Sequence, residues 1–279
     1  MLNPHIFLAG SDKQTTQEEG TMKRIMGVIA LAVVLMVPAT SFAAGDQIGV
    51  YVSPKFIYSY TQMNNIKDGN RDAYLANLAP GATASSGSIG SKSDDTFGGS
   101  IAIGYDFDKR FGIPIRTELE YAGFSSAKAQ SYERVVAPSG DDVEDLWDRN
   151  TYRIQTLFLN AYWDIDTGTK FTPYIGAGIG MGFVDLKWRC WGSSYDPADP
   201  STRDDFDDSV KKGNTNFAWN VSAGLGYDIT DNWTIDAGYR FVSLGSVKTG
   251  KMDSDGVDTW FKTKDLYQHQ VSLGVRYTF

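Results

Sequence analysis

The chain has 279 residues and a formal net charge of −8, with 29 glycines, 15 tyrosines, 15 phenylalanines and seven tryptophans against two histidines and one cysteine. A single cysteine excludes an intramolecular disulfide and any CxxC metal or redox motif. The acidic balance argues against a nucleic-acid partner, which needs a basic face.

Residues 1–21 are polar and patternless, and are expected to be a non-native extension from an upstream start. Lys23 and Arg24 then precede an apolar run over 25–37, which Pro38 breaks and which Ser41 and Ala43 follow just before Ala44. That is the layout of a cleaved export signal over 22–43. The run is too short for a spanning helix, which needs about 20 apolar residues. The mature domain is therefore expected over 44–279. Cys190 lies far from the cleavage site, so no lipoprotein anchor through a processed cysteine is expected.

Beyond residue 44 the recurring pattern is alternation with period two, the mark of strands with one apolar face. Predicted strands cover 47–61, 96–107, 115–124, 151–165, 171–184, 217–227, 233–242 and 271–279. The sixth is the clearest: Phe217, Trp219, Val221, Ala223, Leu225 and Tyr227 share one face, and Ala218, Asn220, Ser222, Gly224 and Gly226 the other. In the fourth, Leu157, Leu159, Ala161 and Trp163 are read as outward, which turns Phe158 and Tyr162 inward.

Short spacers at 108–114, 166–170 and 229–232 alternate with long polar ones at 62–95, 125–150, 185–214 and 245–265. Outer-membrane barrels have short periplasmic turns and longer outside loops. With no spanning helix, only a closed barrel pairs every backbone group in a bilayer. The predicted fold is an all-β, eight-stranded antiparallel up-and-down transmembrane β-barrel with short periplasmic turns and four long extracellular loops. The predicted location is the cell outer membrane.

Outward aromatics beside the short turns, Tyr105, Phe107, Trp163, Tyr227, Trp233, Tyr277 and Phe279, are read as the periplasmic girdle. Phe217, Trp219, Phe241 and Phe183 are candidates for the outer one. The inward faces carry Lys55, Arg116, Glu118, Glu120, Asp236, Arg240 and Arg276. Charges at membrane depth must point inward and find partners. They are expected to form an ion-pair network that plugs the lumen, with the stripe Gly176, Gly178, Gly180 and Gly182 leaving the long side chains room.

Four segments carry a family resemblance. GYDFDKRFGIPIRTELEYAGF (104–124), NAYWDIDTGTKFTPYIGAGIGMGF (160–183) and AWNVSAGLGYDITDNWTIDAGYRF (218–241) resemble successive hairpins of the opacity-type outer membrane protein beta-barrel family. VSLGVRYTF (271–279) is similar to its closing strand. The resemblance implies an eight-stranded, OmpA-like barrel at a Gram-negative cell surface. It implies Phe279 as the signal read by the barrel-assembly machinery, and some members mediate adhesion through their loops.

Other candidate sites are weak. Asp204, Asp205, Asp207 and Asp208 could ligate calcium, but their spacing matches no calcium loop. Cys190, between Trp188 and Trp191, could be reactive. His269 and Ser272 invite comparison with barrel hydrolases, yet fall on opposite faces by parity. No GxSxG, HExxH or phosphate loop is present. No catalytic residue, cofactor or metal site is expected, and the chain is not expected to be an enzyme. The predicted function is a structural or surface-interacting, adhesin-like barrel acting through its extracellular loops, with a narrow porin-like channel as the alternative. Expected partners are outer-membrane lipid and lipopolysaccharide, the assembly machinery, and an extracellular ligand or host surface.

Overall fold

Alternating apolar and polar residues give a strand two unlike faces, and closing such strands into a ring puts one face outside and one inside. The computed structural model describes residues 49–69, 83–85, 90–140, 142–254 and 257–279. The expected extension over 1–21 and signal over 22–43 lie outside the described residues, as does the expected first strand's start at 47–48.

The elements in chain order are β1 (Val50–Gly69), β2 (Thr83–Ser85), β3 (Gly90–Asp106), a short helix α1 (Asp108–Phe111), β4 (Ile115–Phe124), β5 (Ala127–Val136), β6 (Val143–Asp164), β7 (Phe171–Asp196), β8 (Asp199–Asp228), β9 (Trp233–Ser243), β10 (Val247–Lys248), β11 (Met252–Ser254) and β12 (Val257–Thr278). Eight of them form a closed antiparallel ring in the order β1-β3-β4-β6-β7-β8-β9-β12, with β12 returning to β1. The ring closes near both chain ends, where Tyr51 opposes Thr278 and the Phe279 N–H donates to the Val50 carbonyl at 2.9 Å. No helix among the described residues is long and apolar enough to cross a membrane.

The short connections are tight turns. α1 ends on Gly112 at φ 63°, and the 166–170 turn places Gly168 at φ 66°. Both positions are left-handed, where a side chain is strained.

The four long excursions are built differently from the polar spacers expected at 62–95, 125–150, 185–214 and 245–265. Over most of their described length they continue the barrel strands. β7 and β8 stay paired from Phe171 and Tyr227 to Asp196 and Asp199, leaving only residues 197–198 as the turn. β5 takes over from β4 along the edge of β6 after a two-residue break at 125–126. β7 has 26 residues, about 85 Å of contour at ~3.3 Å per residue, where crossing takes about 9–11 residues.

In three of the four excursions the physical reason for the mismatch is a change of phase, whereas β7 and β8 keep theirs. Inward facing switches from even to odd positions between Phe124 and Ala127, from odd to even between Met63 and Ile66, and from odd to even between Thr263 and Leu266. A bulge of this kind breaks the alternation while leaving the strand in place, and Asn65 there adopts φ 53°.

Candidate functional site

The lumen is stratified. At the end of the short turns lies a layer of charges. Lys55 Nζ from β1 bridges Glu118 Oε1 and Glu120 Oε2 from β4, at 2.7 and 2.8 Å. Residues 118 and 120 share a face because strand side chains repeat every second residue. Glu120 also faces Arg240 Nη1 of β9 at 2.6 Å, and Glu118 accepts from the Tyr162 hydroxyl at 2.6 Å and from Asn160 and Tyr51 at 3.3 Å. Arg276 and Asp236 stand 3.3 Å apart without hydrogen-bond alignment, and the Arg276 guanidinium lies over the Tyr51 ring.

The structure therefore brings six of the seven expected lumenal charges into ion pairs with one another. Arg116 is the exception. Its guanidinium forks onto Asp164 at 2.5 and 2.9 Å and lies 5.1 Å from the Tyr162 and Tyr174 ring centres. Asp164 does not stand out in the sequence because it is the last residue of β6, at the rim where the alternation ends. Lys55, Arg116, Arg240 and Arg276 are thereby matched by Glu118, Glu120, Asp164 and Asp236.

Uncharged polar groups form the next layer. Arg240 Nε donates to Gln270, Gln270 to Gln268, and Gln268 to Thr61, at 2.8, 2.9 and 3.2 Å. Asn220 donates to Asn160 at 2.9 Å. The glycine stripe of β7 lies against these side chains. A Cβ at Gly176 would fall 2.4 Å from the Tyr162 ring, at Gly178 2.0 Å from Asn160 Oδ1, and at Gly180 2.0 Å from the Leu157 carbonyl.

Above this the lumen becomes apolar. Ile57, Phe124, Ile154, Phe158, Leu186, Leu244 and Leu266 are buried together, and the cluster continues into the extracellular strands with Trp188, Val247 and Phe261. Trp188 and Phe261 meet edge to face at 4.7 Å. This layer is not apparent from the sequence. Its residues alternate correctly within each strand, but Leu186, Trp188, Val247 and Phe261 belong to segments expected as polar spacers.

Outside, the expected periplasmic girdle residues occupy the short-turn end. Trp163 is 61 % exposed. Tyr277 packs between Trp233 and Phe279 at 4.8 and 5.0 Å, Tyr227 meets Phe171 at 4.9 Å, and Tyr105, Phe107 and Phe111 cluster beside α1. At the other boundary a run of rings extends from Phe97 through Phe56, Tyr58 and Tyr60 to His269, Tyr239, Phe241 and Trp219. Of these, Trp219 and Phe241 are the outer-belt residues expected from the sequence. Phe183 and Phe217 face outward on neighbouring strands.

The weaker candidates are dispersed. His269 faces outward, its Nδ1 2.8 Å from the Tyr239 hydroxyl, while Ser272 faces the lumen. The aspartates at 204–208 lie on β8, not in a loop. Asp205 pairs with Arg203 at 2.9 Å and Asp207 with Arg189. Among the described residues no three His, Cys, Asp or Glu side chains converge as metal ligands. Cys190 turns inward and packs against the apolar layer, and burial pushes its thiol well above the ordinary range.

The outward face of the extracellular sheet has its own order. Tyr132, Trp147, Trp191 and Asp207 form one cross-strand row over β5, β6, β7 and β8. The Tyr132 and Trp147 rings are 5.0 Å apart, and the Trp191 ring lies 5.1 and 5.0 Å from the guanidinium groups of Arg149 and Arg189. Arg134 grips Asp145 at 2.7 and 2.9 Å, with the Tyr132 hydroxyl donating to the same carboxylate.

A closed eight-strand ring between two aromatic belts is matched over residues 29–279 by the family model described as the outer membrane protein beta-barrel domain. The chain belongs to this family. It is an outer-membrane protein of the Gram-negative cell surface. Outer membrane protein PagN of Salmonella typhimurium is 28 % identical over 252 residues, covering 90 % of this chain and 98 % of that one. Opacity protein opA66 of Neisseria gonorrhoeae is 32 % identical over 202 residues, covering 64 % and 77 %. Among solved structures, Neisserial surface protein A shows 21 % identity and a TM-score of 0.43, over 83 % of this chain and 97 % of that one.

Proposed function

We propose that this member of the family is a surface-binding, adhesin-like protein in which the barrel is the anchor and the extracellular β-structure makes the contact. The observation that carries this reading is that β5, β6, β7 and β8 continue past the outer aromatic belt as a paired sheet with a buried apolar underside. A bare anchor has no use for such a sheet, whereas binding residues are typically held out on rigid supports. Its outward row of Tyr132, Trp147 and Trp191 offers an exposed tyrosine and two half-buried tryptophans flanked by arginines, the residue types that dominate binding hot spots.

The stratified lumen supports the same reading over a channel. Eight strands leave an interior that side chains fill, and here five ion pairs lie beneath a buried apolar cluster. We assign the chain no reaction, because His269 and Ser272 stand on opposite faces of β12 and share no site.

The test replaces 128–151 and 187–211 by short turns and measures adherence of expressing cells to an epithelial layer. Loss of adherence, with the barrel still assembled and heat-modifiable, is expected. Undiminished adherence would sink the proposal.

A further inference from the structure

The extracellular sheet of β5, β6, β7 and β8 has two edges, and they are finished differently. The β5 edge is met by β2 over 134–136, and the Lys128 N–H donates to the Asp94 carboxylate at 2.8 Å. The β8 edge loses its partner early. β9 follows β8 only as far as Trp219, opposite Ser243, whereas β7 accompanies it to Asp204 and beyond. Asparagine side chains stand in for the missing strand over the next stretch. Asn216 Nδ2 donates to the Leu244 and Ser246 carbonyls at 3.0 and 2.9 Å. Asn214 both donates to the Lys248 carbonyl and accepts from its N–H, at 3.1 Å each. Gly250 then comes up against Val210. Further out, over 204–209, no strand among the described residues pairs with this edge.

Strand geometry says which backbone groups stand there. In an antiparallel ladder successive residues turn their N–H and C=O alternately to one neighbour and to the other. The Asp228 N–H donates to the Lys170 carbonyl, and the Ile229 N–H to that of Trp233. Even residues of β8 therefore bond to β7, and odd ones face the β9 side. The register with β7 runs unbroken from Tyr227 to Asp204, which carries this parity to the outer end. Asp205, Asp207 and Ser209 thus each turn a donor and an acceptor away from β7. A row of unpaired backbone groups is a template for another strand.

Charge decides which strand fits. The segment carries Asp204, Asp205, Asp207 and Asp208 and no cation of its own. Asp205 and Asp207 lie on the outer face beside Arg203 and Arg189, while Asp204 and Asp208 flank the half-buried Phe206 on the inner face. A second copy in the same membrane would run parallel and, in matching register, set aspartate beside aspartate, and like charges placed opposite each other oppose pairing. We propose that the β8 edge over 204–209 binds an extended, lysine- or arginine-rich segment of a partner protein as an added antiparallel strand. This deepens the adhesive reading and rests on the extracellular sheet being the contact surface. Backbone bonds supply the attraction common to any added strand, and side chains on alternate faces supply the selection. Here carboxylates on both faces select basic residues, and Phe206 meets an apolar one.

The experiment places the full barrel in phosphatidylcholine nanodiscs and follows the anisotropy of a dye-labelled peptide, Thr-Lys-Lys-Val-Lys-Lys, written to lie antiparallel against 209 to 204. Saturable binding is expected. Methylating the backbone nitrogens of the peptide's third and fifth residues keeps every charge but removes the donors that would meet Asp207 and Asp205, and should weaken binding about tenfold or more. Replacing its lysines by glutamates should do the same. On the protein, Ser209→Pro removes an N–H that faces away from β7, so the β7 ladder keeps its bonds; it should also weaken binding about tenfold with the barrel still heat-modifiable. No saturable binding of the parent peptide would overturn the site. So would equal binding of the methylated peptide, which would show attraction by charge alone, or undiminished binding to Ser209→Pro. The readout needs no cells, so the two readings fail separately: adherence without peptide binding overturns the edge alone, and peptide binding by a barrel whose cells do not adhere overturns only the adhesive role.

Discussion

Lys55 holds two carboxylates with one ammonium, and Arg240 supplies the second charge that Glu120 needs. Removing one partner of a buried pair leaves an uncompensated charge, at a cost of about 3–5 kcal/mol. Lys55→Met should lower the barrel's unfolding stability in denaturant by that order, and adding Glu120→Gln should return part of it. A loss within about 0.5 kcal/mol would show that water reaches the pair, as for an exposed bridge. In the extracellular sheet, the Arg134 guanidinium holds the Asp145 carboxyl down to about 2. A depressed carboxylate contributes stability above its unfolded value near 3.9 and loses it as pH falls toward the folded value. A carbon-13 titration should find Asp145 still ionised at pH 3. Arg134→Met should raise its midpoint toward the ordinary range.

At the scale of the element, β7 shows why a strand inside a narrow barrel is glycine-rich. Its inward stripe opposes Tyr162, Asn160 and Phe158, and at Gly180 the obstacle is backbone. Gly180→Val should therefore block assembly, seen as loss of the heat-modifiable folded band on a gel; normal yield would mean that the strand can shift outward. The membrane-spanning halves were legible in the sequence because each wall residue obeys one alternation, as Phe217 to Tyr227 does. Facing was legible even in β6, where Phe158 and Tyr162 turn inward despite being aromatic. The extracellular halves were not legible. Asp204 to Asp208 read as an acidic loop, since nothing local reveals that Asp207 opposes Trp191 and Asp205 opposes Ser193. Strand pairing is a non-local fact, and elsewhere, in β1 and between β4 and β5, phase changes near 64–65 and 125–126 also break the local alternation.

For the whole molecule, the layers of the lumen and the reach of the strands make one argument. Ion pairs gather toward the periplasmic end and amides beyond them, followed by a buried apolar cluster that also encloses hydroxyl pairs such as Tyr152 with Thr263 and Thr61 with Thr96. The same apolar packing continues upward as the underside of the extracellular sheet. Seven of the lumenal charges were readable from parity, but neither Asp164 nor the apolar layer was, because Asp164 ends β6 and Leu186, Trp188 and Phe261 lie in segments that composition marks as polar. The central claim is a sealed barrel whose work is done outside. Its most direct test is the conductance of the refolded barrel in a planar bilayer. The account predicts no current above the bare membrane at any salt concentration. A steady current that rises with salt would contradict it, because an open aqueous path cannot coexist with the packed layer around Phe158.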